Sequence, residues 1–168
     1  MTIKRKIFIL LYRQKQILLD DSRSKLVEFL RKSDKYQPER ALKTLPSNDL
    51  FEERAIILGK LGLHEKVIAI YVQILGDVDK ASEYCEQVYQ TDTTNSNIYV
   101  LLIRTLLIPP TAAPYSEVEL HPRCKEPNID YVLVLLEQHA TKLNAHAVLQ
   151  VISIKKCVYR FYFFFFFI

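Results

Sequence analysis

Three glycines, one methionine, three cysteines and no tryptophan in 168 residues leave little of the material from which catalytic sites are built. Backbone that closes around a phosphate needs glycine, and Gly59, Gly62 and Gly76 stand in no phosphate-loop spacing. Neither Gly-Lys-Ser/Thr nor Gly-x-Ser-x-Gly occurs, so a nucleotide loop and a nucleophile elbow both lack their residues. Cys85, Cys124 and Cys157 are odd in number and far apart, which argues against a disulfide framework and for a reducing, cytoplasmic compartment. No apolar run approaches the length that a bilayer demands. Lys4, Arg5 and Lys6 imitate the basic start of a secretory signal. The apolar run after them stops at Tyr12, and no small-residue cleavage site follows. The acid-free stretch 1–19 also imitates a mitochondrial presequence, but it has no serine, and a basic amphipathic helix is the simpler reading.

Charge is present but unevenly spread. The first 32 residues carry nine Lys/Arg against three acids, whereas residues 47–95 carry nine acids against four basic residues. A nucleic-acid binder gathers its cations on one folded face. Here the excess is confined to the first helix pattern, and no nucleic-acid partner is expected. The histidines suggest no metal either. His64 precedes Glu65 without a second histidine four residues on, and His121 and Cys124 give two ligands where a structural zinc site wants four. Thr141 to Asn144 breaks the helix between His139 and His146. No catalytic residue, metal or cofactor is expected.

What the sequence does contain is helical periodicity. Helices are expected over about 5–18, 22–33, 38–45, 49–61, 64–75, 78–90, 97–108, 128–140 and 144–155. In the middle of the chain three follow one another almost without a loop. Asp49 with Glu52 makes a D-x-x-E capping box for the first, whose apolar positions are Phe51, Ala55, Leu58 and Leu61, and Gly59 and Gly62 bring it to a turn. The second has Val67, Ile68, Tyr71, Ile74 and Leu75 on one face and stops at Gly76. The third has Ala81, Tyr84, Cys85, Val88 and Tyr89. Short antiparallel helices with one apolar stripe each are stable only when stacked, so the fold class is all-α, an α-solenoid. Solenoids bind proteins and seldom do chemistry. Tyr71, Tyr84, Tyr89 and Tyr99 read chiefly as core with their hydroxyls at the rim. Glu52, Glu53, Arg54, Lys60, Glu65 and Lys66 read as a solvated face. If a partner is bound here, Glu52, Glu53, Arg54, Tyr71, Tyr84 and Tyr89 are the candidate contacts, apolar anchors inside a polar rim.

Residues 109–127 hold five of the seven prolines and read as an extended connection, with the stacked helices before it and the start of a further pair, 128–150, after it. The end is anomalous. From Tyr159 to Ile168 eight of ten residues are Tyr or Phe, with no packing reason for five consecutive phenylalanines. A thymine-rich stretch encodes phenylalanine runs, and 151–168 reads as translated non-coding sequence.

The segments SKLVEFL (24–30), LFEERAIILGK (50–60), HEKVIAIY (64–71), ASEYCE (81–86) and SNIYV (96–100) occur in an order that resembles the C-terminal helical region of the vacuolar protein sorting thirty-nine, or Vam-six-like, family. The transforming growth factor-β receptor-associated protein shares that region. The resemblance runs from about Asp20 to Gln150. It implies clathrin-heavy-chain/TPR-like repeats and a protein–protein scaffold of the HOPS vesicle-tethering complex, at the late endosome and vacuole or lysosome membrane. Its implied partners are the other tether subunits, and a Rab GTPase through a full-length protein. The family's N-terminal propeller and terminal Cys cluster have no counterpart here. Residues 1–19 precede the resemblance and read as a basic amphipathic segment whose place in the native reading frame the sequence leaves open. Residues 20–108 correspond to the first C-terminal module, and 143–149 (LNAHAVL) resembles the opening of the second. Two other readings compete: a helical-repeat adaptor for unrelated cargo, and a peripheral membrane-surface protein using the basic segment Lys4 to Lys15.

Overall fold

The computed structural model describes residues 20–91, 97–108, 110 and 119–153. Outside them fall the basic segment 1–19 with its expected helix 5–18, the start of the SNIYV motif, most of the proline-rich connection, Cys157 and the aromatic run. Among the described residues every regular element is helical. They are α1 (20–32), α2 (Pro38–Thr44), α3 (Phe51–Lys60), α4 (His64–Ala69, continued by a π-helical turn Ile70–Ile74), α5 (Val78–Thr91), α6 (Asn97–Leu107), a 3₁₀ turn (Pro122–Cys124), α7 (Ile129–Gln138) and α8 (145–153). Each of α1 to α8 falls within a few residues of the periodicity reading, whereas the 3₁₀ turn lies in the connection that the sequence read as extended.

The turns follow from local chemistry. Gly62, at φ 70°, ends α3 in a Schellman motif, with Leu63 N–H donating to Leu58 O at 3.0 Å and Gly62 N–H to Gly59 O at 3.0 Å. Gly59 makes no turn, contrary to the sequence reading. It lies inside α3, and a Cβ there would stand 3.2 Å from the Tyr84 ring, so its missing side chain lets α5 approach. The expected capping box is also absent. The N-cap is Leu50 in a left-handed conformation, φ 56°, and the Asp49 carboxylate takes the Leu50 N–H instead. Asparagines open the last two helices as side-chain caps, Asn128 accepting from Tyr131 N and Asn144 from Ala147 N.

Successive helices pack as neighbours: α2 on α3, α3 on α4, α5 on α6, and α6 on both α4 and α7. The buried stripes meet in one core that includes Ala55, Leu58, Val67, Ile68, Ala81, Cys85, Leu102 and Ile103, and continues through Cys124 and Val132 to Val148 and Val151. Each buried Ile, Leu or Val contributes on the order of 1.5–3 kcal/mol. The π-helical turn was not legible in the sequence. It re-aims carbonyls that the 3₁₀ turn uses, with His121 N–H donating to Gln73 O at 2.8 Å and the Cys124 thiol donating to Val72 O. Gly76, at φ 65°, ends this helix where a Cβ would lie 2.4 Å from His121 Nδ1. The residues just before α7 are therefore anchored on the stack.

Candidate partner-docking surface

Glu53 and Arg54 do not belong to the solvated face that the sequence suggested. Glu53 is fully buried and its carboxylate receives the Arg23 fork from α1, Nε to Oε1 at 2.8 Å and Nη2 to Oε2 at 3.2 Å. Arg54 is 8% exposed and its guanidinium donates to the carbonyls of Leu45 and Pro46, satisfying the end of α2. Burial of both follows from their position between three helices, which a single-helix periodicity argument does not see. Glu52 is half-buried within a looser network, 3.5 Å from Arg31 and 3.4 Å from Lys80. Together these pairs tie α1 and α5 to α3.

The tyrosines fill the stack. Tyr71 is buried, and burial pushes its hydroxyl up to about 12. The Tyr84 hydroxyl meets His64 Nδ1 at 2.6 Å, which accounts for His64 without a metal. Tyr89 is half-buried, tilted against Tyr99 at 5.9 Å and crossed by the Lys142 ammonium at 5.5 Å. Tyr99 is buried and donates to Glu86. Glu86 also accepts from Lys142 at 2.6 and 2.8 Å, and these hydrogen bonds hold its carboxyl down to about 2. His139 stacks on Tyr99 at 4.5 Å, and burial, with Lys142 nearby, lowers its imidazole below the ordinary value. Residues from the turn after α7 are thereby clamped to α5 and α6. The Cys85 thiol, pushed up to about 12 by burial, is held protonated and unreactive. Among the described residues no group of three or more His, Cys, Asp or Glu is placed to hold a metal ion. No helix there is long and apolar enough to cross a membrane.

With the proposed contacts engaged internally, exposed apolar surface concentrates elsewhere. Ile129, Leu133 and Val134 of α7 are 50%, 54% and 42% exposed, and Leu149 of α8 also faces solvent. At the other end α1 exposes Phe29, which leans on Tyr36. The sequence signal for α7 was available: IDYVLVLLEQ has more apolar residues than one helix face can bury. An apolar helix flank left open at the end of a stack is chemically suited to receive another helix.

The family described as the Vps41 TPR-like region matches residues 10–110. The chain is 43% identical over 122 residues to the vacuolar protein sorting-associated protein 39 homolog of Drosophila melanogaster, covering 73% of this chain and 14% of that protein. To the human Vam6/Vps39-like protein it is 37% identical over 127 residues, 75% of this chain and 14% of that one. To human transforming growth factor-beta receptor-associated protein 1 it is 32% identical over 133 residues, 79% and 14% respectively. The chain thus spans about a seventh of the length of the curated relatives it matches. No solved structure matches it.

Proposed function

The chain belongs to the family of the Vps41 TPR-like region and the Vps39/Vam6-like vacuolar sorting proteins, and on that premise we propose that it is a protein–protein scaffold segment of a HOPS-like vesicle-tethering complex. It acts in endosome-to-vacuole or lysosome transport and performs no catalysis. The observation that carries this reading is the identity to a vacuolar sorting homolog over most of the chain. The fold agrees with it. A stack of short helices presents rigid surface, and the open flank of α7 offers a helix-sized contact. The other tether subunits are its partners, from the cytoplasmic side of the late endosome or vacuole. Recognition of a Rab GTPase belongs to a full-length protein.

Pull-down with size-exclusion chromatography tests this, using the full chain and each core subunit of the tether in turn. Stoichiometric capture of one subunit is the expected result. Capture of none by a folded, helical chain overturns the proposal.

A further inference from the structure

The open flank of α7 has a definite composition. Asp130, Leu133, Val134 and Glu137 stand at i, i+3, i+4 and i+7, and Ile129 lies one turn before Leu133, so all five share the solvent side opposite the buried Val132 and Leu135. The helix contains two acids and no Lys or Arg. Elsewhere in the molecule acids near apolar surface are occupied: Glu53 by Arg23, Glu52 by Arg31 and Lys80, Glu86 by Lys142, Asp79 by the Tyr131 hydroxyl. Among the described residues no ion pair or hydrogen bond reaches the Asp130 or Glu137 side chain.

We infer that the flank Ile129–Asp130–Leu133–Val134–Glu137 is a docking surface for an amphipathic partner helix whose apolar stripe is bordered by Lys or Arg. The inference rests on the docking role argued above and specifies its chemistry. Apolar side chains of the partner cover Ile129, Leu133 and Val134, and its cations meet Asp130 and Glu137 at the rim, where charge selects the partner more than it adds affinity. An anionic membrane is disfavoured by the same two carboxylates, and a second copy of this flank is disfavoured because like would face like.

The test uses the full chain and two synthetic helical peptides with the same leucine stripe, one bordered by lysines and the other by glutamates, with binding read by fluorescence anisotropy. The lysine peptide binds about tenfold tighter, the effect of two rim charge pairs, and the difference shrinks at high salt. L133D abolishes its binding. The double substitution D130K/E137K reverses the preference in favour of the glutamate peptide. These side chains are exposed, so the fold tolerates all three changes, as circular dichroism verifies. Equal binding of the two peptides, binding that survives L133D, or a preference that D130K/E137K leaves unchanged overturns the inference. So does self-association, or capture by phosphatidylserine vesicles, that L133D abolishes, since each assigns the flank to another occupant. The same variants entered in the subunit capture separate the two claims. A subunit still captured by L133D removes α7 as its site and leaves the scaffold role standing. Capture of no subunit by the wild-type chain removes the scaffold role and leaves the peptide result to decide the flank.

Discussion

Replacing Arg23 by alanine isolates a carboxylate that the fold cannot hydrate. Glu53 is fully buried, while the Arg23 side chain is 45% exposed. An exposed ion pair contributes about 0–1 kcal/mol. Stripping the partner from a fully buried charge costs about 3–5 kcal/mol. With one end dry and the other half wet, R23A should cost about 2 kcal/mol, between those limits. Asp49, 3.8 Å from the same guanidinium and itself exposed, adds little. The diagnostic is the asymmetry. E53M removes the buried charge and leaves Arg23 free to rehydrate, so it should cost less than R23A despite changing the more buried residue. The double variant R23A/E53M should match E53M rather than the sum of the singles. Urea titration followed by circular dichroism at 222 nm measures this, and in thermal melts R23A should fall by about 4–8 °C for a chain of this size. An R23A loss under about 0.5 kcal/mol, or an E53M loss exceeding that of R23A, would refute the reasoning, since it would mean that Glu53 is solvated.

Two glycines that share a left-handed conformation should respond differently to alanine. Gly62 has open space beside it, so G62A costs about 1 kcal/mol of backbone strain, whereas G76A adds a collision with the His121 ring and costs at least about 3 kcal/mol; parallel urea titrations rank the two. The Glu86 carboxyl lies below its ordinary value of 4.5, so the stability it confers is complete above about pH 4.5 and is lost as pH falls towards 2. E86Q should flatten that part of the stability–pH curve, and an unchanged slope would mean that Lys142 and Tyr99 do not hold the carboxylate. His139 is shifted the other way round in charge: its neutral form is favoured on folding, so stability declines as pH drops through the ordinary value of 6.5. H139F, which keeps the stacking on Tyr99, should remove that decline in melting temperatures recorded from pH 8 to pH 6.

Among the described residues helix order and spacing were legible because they depend on local signals. The stripe Val67, Ile68, Tyr71 repeats with the helical period, and Gly62 and Gly76 supply conformations that other residues resist. The stacked architecture was legible too, since no such helix is stable alone. Ordered motifs from Ser24 to Val100 carried the family. What the sequence could not decide was which polar residues face inward and which apolar ones face outward. Glu52, Glu53 and Arg54 are consecutive and chemically alike in any hydropathy scheme. Yet one is half-buried and two are buried, because α1 brings Arg23 over Glu53 and the end of α2 brings two carbonyls to Arg54. Gly59 read as a turn until the Tyr84 ring, 25 residues away in the chain, gave its missing side chain a purpose. The π-helical turn presents the Gln73 and Val72 carbonyls to His121 and Cys124, partners that no local signal announces. The α7 flank is visible as exposed apolar surface only once Val132 and Leu135 have chosen the core and left Ile129 and Leu133 outside. Periodicity along one helix fixes the pattern of a face. Only the neighbours, brought together over long separations, fix whether that face is buried, paired or left open for another chain.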